Sequence, residues 1–172
     1  MANVRWFGLV IVMIVVAAAQ TTVGHLMAIN KVTPSFLLIA AVYYGFRWPT
    51  AEAGIAGWAL GLAADLTGIT PIGSQSLTYA LAAMIASRLR PVLMTNHPMA
   101  QILVTGILGW LAYSVVYVHG AWQGGWKVWS FGASLERAGW VALYTAVLAP
   151  YLFWLLERFV PLLGLQPHTR RR

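Results

Sequence analysis

Apolar runs follow one another from Trp6 to Val160, and the polar stretches between them are short. Hydrophobicity confined to one segment would mark an anchor. Spread over 172 residues, 60% of them hydrophobic and only 9% charged, with a mean hydropathy of +0.72, it marks a membrane domain. In lipid the backbone must satisfy its own hydrogen bonds, which leaves helices and closed barrels. Barrel strands alternate apolar and polar residues, and these runs do not, so the expected fold is a single all-α, polytopic bundle. The net charge of +7 would raise nucleic acid as a partner for a soluble protein. Here the basic residues stand at the ends of apolar runs, where they set orientation in a lipid bilayer. The absence of cysteine excludes disulfides, thiol catalysis and cysteine metal sites.

Six transmembrane helices are expected, over roughly 6–28, 34–47, 51–68, 71–90, 98–119 and 135–160. Arg5, the run Trp6 to Val16 and Ala17-Ala18-Ala19 have the pattern of a cleavable signal peptide, but apolar character continues to Ile29, so an uncleaved first helix is expected. Its polar half, Gln20, Thr21, Thr22 and His25, would be costly facing lipid and is read as interhelical hydrogen-bonding groups. The second run, Pro34 to Phe46, is short for a hydrocarbon core of ~30 Å. Tyr43, Tyr44, Arg47 and Trp48 form its interfacial end, and Pro49-Thr50-Ala51-Glu52 opens the third helix. Gly106 and Gly109 offer a small patch on the fifth. Trp122, Trp126 and Trp129 suggest an amphipathic segment in the long connection Gly120 to Ala133, and Pro150 should kink the sixth helix. With six spans and a cytoplasmic N-terminus, Arg5, Arg47, Arg88, Arg90, Arg158 and the three tail arginines fall inside, as the positive-inside rule requires. Lys31, Lys127 and Arg137 fall outside.

Between Gly54 and Leu81 the chain reads as two apolar helices meeting at a polar turn. Gly57, Gly61 and Asp65 recur at i, i+4 and i+8 and so share one face. Glycines at this spacing let another helix approach to backbone distance. Asp65 is one of only four acidic residues, and a carboxylate in an apolar span implies a job or a partner. Ser74, Gln75, Ser76, Thr78 and Tyr79 crowd the next helix and supply a hydrogen-bond network for it. Thr70 as N-cap, Pro71 at the first helical position and Gly73 just after should start that helix.

At Gly57, Gly61, Asp65, Pro71 and Gly73 the pattern G-x-x-x-G-x-x-x-D, a polar turn and P-x-G resembles the rod shape-determining protein MreD family. Family members are small bacterial inner-membrane proteins with an apolar first helix and a proline-led second. That second helix often opens with Pro-Asp; here Ser35 follows Pro34. The resemblance implies a six-helix fold similar to the substrate-binding subunits of energy-coupling-factor transporters. It also implies a partner, the bitopic protein MreC. Through MreC the chain would belong to the complex that couples the actin-like MreB, and indirectly the RodA/penicillin-binding-protein synthase, to peptidoglycan synthesis and cell shape.

No catalytic constellation is present: the four carboxylates are scattered over helix beginnings and ends, and His25, His97, His119 and His168 lack metal-ligand spacing. Neither an enzyme activity nor a metal or cofactor is expected. Three readings remain: a membrane scaffold binding partner helices through the Gly57/Gly61 face, a substrate-binding membrane subunit of a vitamin transporter, and an assembly factor of unrelated identity. The resemblance favours the first, with both termini cytoplasmic.

Overall fold

Twelve residues, Phe36–Arg47, form the shortest helix of the bundle and its centre: every residue from Phe36 to Phe46 is buried. The computed structural model describes residues 2–28, 32–68, 72–91, 97–124 and 131–159. They form six helices, α1 (Ala2–Leu26), α2 (Phe36–Arg47), α3 (Thr50–Thr67), α4 (Ser74–Leu89), α5 (Pro98–Gly124) and α6 (Phe131–Phe159). Each of the other five packs against α2. Around it α3 lies on α4, α4 on α5 and α5 on α6, with α1 against α3.

A helix of twelve residues rises only about 18 Å, so α2 spans no bilayer by itself, and its burial is what makes the short length tolerable. Non-helical backbone at membrane depth survives only where protein or a polar cavity satisfies it, and here side chains do so. Gln20 of α1 donates to Pro34 O at 2.8 Å and accepts from Phe36 N at 2.7 Å. Thr145 Oγ1 of α6 accepts from Ser35 N at 3.1 Å. Ser35 is the N-cap of α2, its Oγ accepting from Leu38 N at 3.3 Å. Serine and aspartate are both strong N-caps, so Pro34-Ser35 fills the role expected of Pro-Asp. Of the polar group on α1, Gln20 bridges to α2 as the sequence suggests, whereas Thr21 bonds Ala18 O of its own helix.

The outer helices show the surface that lipid selects. On α1 a thin stripe, Leu9, Val12 and Val16, faces inward, and Phe7, Ile14 and Val15 are exposed. On α6, Ala138, Val141, Ala142, Thr145, Ala149 and Phe153 turn inward at helical spacing, while Trp140, Leu143, Val147, Tyr151 and Trp154 face out. Large apolar side chains exposed along whole helices are stable when the surroundings are hydrocarbon. By length and composition, α1, α5 and α6 are long and apolar enough to cross a membrane; α2 is a shorter apolar helix.

The helices alternate in direction. Arg47 at the end of α2 pairs with Glu157 near the end of α6, and Arg90 reaches Arg47 O at 3.5 Å. Trp6 of α1 meets Trp48 edge to face at 5.7 Å. At the opposite end Tyr144 of α6 donates to Met27 O at 2.9 Å. Three boundaries differ from those read in the sequence. α4 begins at Ser74 with Gly73 as its N-cap, so neither Thr70 nor Pro71 starts it. α5 continues to Gly124 and takes in Trp122, and α6 begins at Phe131. The polar connection therefore contracts from both sides, because alanine favours a helix and a glycine within one costs only ~1 kcal/mol. Pro71, Trp126, Trp129, Lys31, Lys127 and the basic tail lie outside the described residues. α6 runs helically through Pro150.

Candidate functional site

Gly73 opens α4 with φ of 101°, a conformation that only glycine adopts without strain. It brings no side chain to cap the helix, yet the first-turn N–H groups of any helix need acceptors. Asp65, at the far end of α3 and only 3% exposed, provides them. Its Oδ2 accepts from Gly73 N at 2.9 Å, Ser76 N at 3.1 Å and Ser76 Oγ at 2.6 Å, and its Oδ1 accepts from Gln75 N at 3.1 Å. A negative charge at the positive end of a helix dipole is favourable by itself. Asp65 is thus the cap of α4, lent by α3 across the turn.

The glycine face points the same way. A Cβ built on Gly61 would lie 2.5 Å from Gln75 O and from Ser76 Cα, and one on Gly57 would lie 2.5 Å from Tyr79 O. Real Cβ atoms do not come that close, so α3 and α4 touch backbone to backbone. Gly54 continues the seam beside Met84, and Gly45 of α2 does the same from the other side, its Cβ position 2.6 Å from Ala83 O. The Gly57/Gly61 face admits two uses, packing within the bundle or docking of a partner helix, and in the structure α4 of the same chain fills it. The sequence reading missed Gly45, although Ala82 with Ala86 and Ala83 with Ser87 repeat on α4 at four-residue spacing, the same small-residue signal. Below the seam, Ser87 binds Trp48 O at 3.2 Å and Thr50 Oγ1 at 3.1 Å, fixing the tight turn between α2 and α3.

The family model of the rod shape-determining protein MreD matches residues 2–161. The chain belongs to the MreD family. No curated protein and no solved structure matches it. Family membership carries a role in rod shape determination as a shape-determining component, and the long apolar helices make this MreD-family chain a membrane protein. Among the described residues no cluster of His, Asp and Glu could hold a metal ion.

A different surface is left open to lipid. On the outer side of α5 and α6 a groove of about 280 Å³ runs between Ile102, Leu103, Gly106, Ile107 and Trp110 on one helix and Gly139, Ala142, Leu143 and Ala146 on the other. Gly106 and Gly109 of α5 part company here. Gly109 is buried, with Leu38 of α2 3.1 Å from its Cβ position, whereas Gly106 is half-buried in the groove floor. At Gly139 nothing lies nearer than Trp110 at 3.9 Å.

Proposed function

We propose that this chain is a non-catalytic component of the cell-elongation complex of the bacterial inner membrane, with six spans, α2 crossing with the help of its non-helical flanks, and both termini cytoplasmic. It docks the single membrane helix of MreC in the α5/α6 groove and so helps couple MreB to peptidoglycan synthesis. Family membership supports the process. The observation that supports the docking surface is the division of the small residues. Those of α3 are covered by α4; on α5 and α6, Ala142 and Ala146 are buried against Gly109 and Gly106, but Gly139, with nothing nearer than Trp110 at 3.9 Å, lies with Ile107 and Leu143 beside a concavity that a second helix could enter to packing distance. The test is a photo-crosslinking amino acid at Leu143 or, as a control, at Ile55 on the exposed side of α3. Capture of MreC from Leu143 and not from Ile55 is expected. Capture from Ile55 alone would move the interface to α3. The vitamin-subunit reading has one observation in its favour, a hydroxyl-lined cavity between α1, α3, α4 and α5; a stoichiometric vitamin in protein purified from native membranes would favour it instead.

A further inference from the structure

At the end of the bundle where Asp65 caps α4, a cavity of about 300 Å³ opens between α1, α3, α4 and α5. Its chemistry follows from where the hydroxyl protons go. Tyr79 has one, and Gln75 Oε1, which can only accept, takes it at 3.1 Å. Toward the hydroxyls of Ser35 and Tyr113, each 2.9 Å away, Tyr79 is therefore the acceptor, and Tyr113 is a donor whose oxygen keeps lone pairs. Thr21 and Thr67, also in the wall, donate to Ala18 O and Ala63 O of their own helices. Three hydroxyl oxygens thus border the cavity with their protons already committed. Among the described residues no cationic or carboxylate side chain lines it.

A ligand that meets these three oxygens donates hydrogen bonds, and the hydroxyls of Thr33 and Tyr117 and the amides of Gln20 and Gln75 give the same wall further polar groups. A neutral ligand is favoured, because the described lining holds no charged side chain to pair with an ion that loses its water there. At ~30 Å³ for each water displaced, the space takes on the order of ten non-hydrogen atoms, the size of one sugar ring. The rings of Tyr113 and Tyr117, tilted 30° with centroids 5.9 Å apart, give the apolar surface that the C–H face of a sugar needs. We propose that this cavity binds a neutral polyol of about one sugar ring, free or as the headgroup of a glycolipid, with the oxygens of Tyr113, Thr21 and Thr67 accepting from its hydroxyls. The cavity shares no residue with the α5/α6 groove, so the proposal stands or falls independently of MreC docking.

The test uses the full chain in phosphatidylcholine nanodiscs, free of glycoside detergents that would themselves occupy the site. Saturation-transfer NMR with methyl β-glucoside should give a signal, and glucose 6-phosphate and glucosamine should give none. Thr21→Leu fills the cavity from α1 and removes only a bond within its own helix, so the variant keeps its thermal stability and should bind at least tenfold more weakly. Tyr113→Phe should weaken binding in the same direction. Native mass spectrometry from discs doped with glucosyl diacylglycerol separates the sources. A retained glycolipid that Thr21→Leu loses assigns the headgroup; glucoside binding without retention assigns the free polyol. Absence of both, equal binding of the charged analogues, or unchanged binding in Thr21→Leu overturns the proposal.

Discussion

Asp65 Oδ2 lies 2.6 Å from Ser76 Oγ and 3.1 Å from Ser76 N, so a residue at the end of α3 holds both polar hydrogens of a residue in the first turn of α4. The contact fixes the register of the two helices at one point. Gly61, one turn earlier on α3, meets the backbone of the same two residues, Gln75 and Ser76. The carboxylate and the glycine therefore act together: the close approach brings the N–H groups within reach, and the carboxylate gives them an acceptor.

Replacing Asp65 separates charge from hydrogen bonding. In Asp65→Asn the amide oxygen can keep the Oδ2 position, facing Gly73 and Ser76, and the bond to Gln75 N is lost. Asp65→Leu takes the acceptor away from all of these donors, and each buried unpaired donor costs ~1–3 kcal/mol. Asp65→Asn should therefore lower the melting temperature in detergent modestly and Asp65→Leu severely. Equal losses would mean that the charge, and not the acceptor geometry, stabilises the turn.

Gln20 makes a second prediction, on the central helix. Its amide both donates to Pro34 O and accepts from Phe36 N, and only a side chain with both functions can do so. Gln20→Leu should destabilise the protein by ~2 kcal/mol or more, since two buried backbone groups lose their partners. Gln20→Glu keeps the acceptor for Phe36 N and loses the donor for Pro34 O, so it should fall between. Denaturant titration of the purified protein, followed by tryptophan fluorescence, checks the order.

The third prediction is backbone strain. Gly73 has φ of 101°, and although nothing stands within 4 Å of its Cβ position, Gly73→Ala should still cost ~1–2 kcal/mol because an L side chain is strained there. A thermal-shift measurement with Gly120→Ala as control decides it. Gly120 also has open space around its Cβ position but a helical backbone, so that variant should be neutral or slightly stabilising.

Topology is the fourth. Arg47 and Arg90 meet at the end of the bundle where α2 and α4 finish. The positive-inside rule predicts that this end, and both termini with it, is cytoplasmic. A C-terminal reporter should be active only in the cytoplasm; activity only in the periplasm would remove the six-span arrangement.

Much of this was legible in the sequence because lipid leaves few choices. Apolar runs with basic ends give helices, and an acid four residues beyond two spaced glycines gives a close, capped helix pair. The glycine face could be located, but not what covered it. Spacing shows that a surface is small; it does not tell whether the neighbour belongs to the same chain, and the matching signal at Ala82, Ala83 and Ala86 lay unread on α4. The role of α2 was hidden by its length, since a short apolar run looks like a weak span until the other five helices are seen around it. The start of α4 was misplaced for another reason. Thr-Pro is a good helix opening in isolation, but Asp65 is more effective at capping three residues later, where Gly73 lets the chain turn toward it.

If the Gly57/Gly61 face holds the bundle together and leaves partner docking to α5 and α6, leucine on the two faces must have opposite effects. The comparison is Gly61→Leu against Gly139→Leu, with thermal stability in nanodiscs and co-purification of MreC measured on the same samples. A leucine at Gly61 must displace the backbone of Gln75 and Ser76, and overpacking of this kind typically costs ~1–3 kcal/mol, so Gly61→Leu should be less stable and less abundant. Gly139→Leu should melt like the wild type and retain MreC poorly. A Gly61→Leu protein of normal stability that has lost MreC, beside a Gly139→Leu protein that keeps it, would show that the two faces have been assigned the wrong way round.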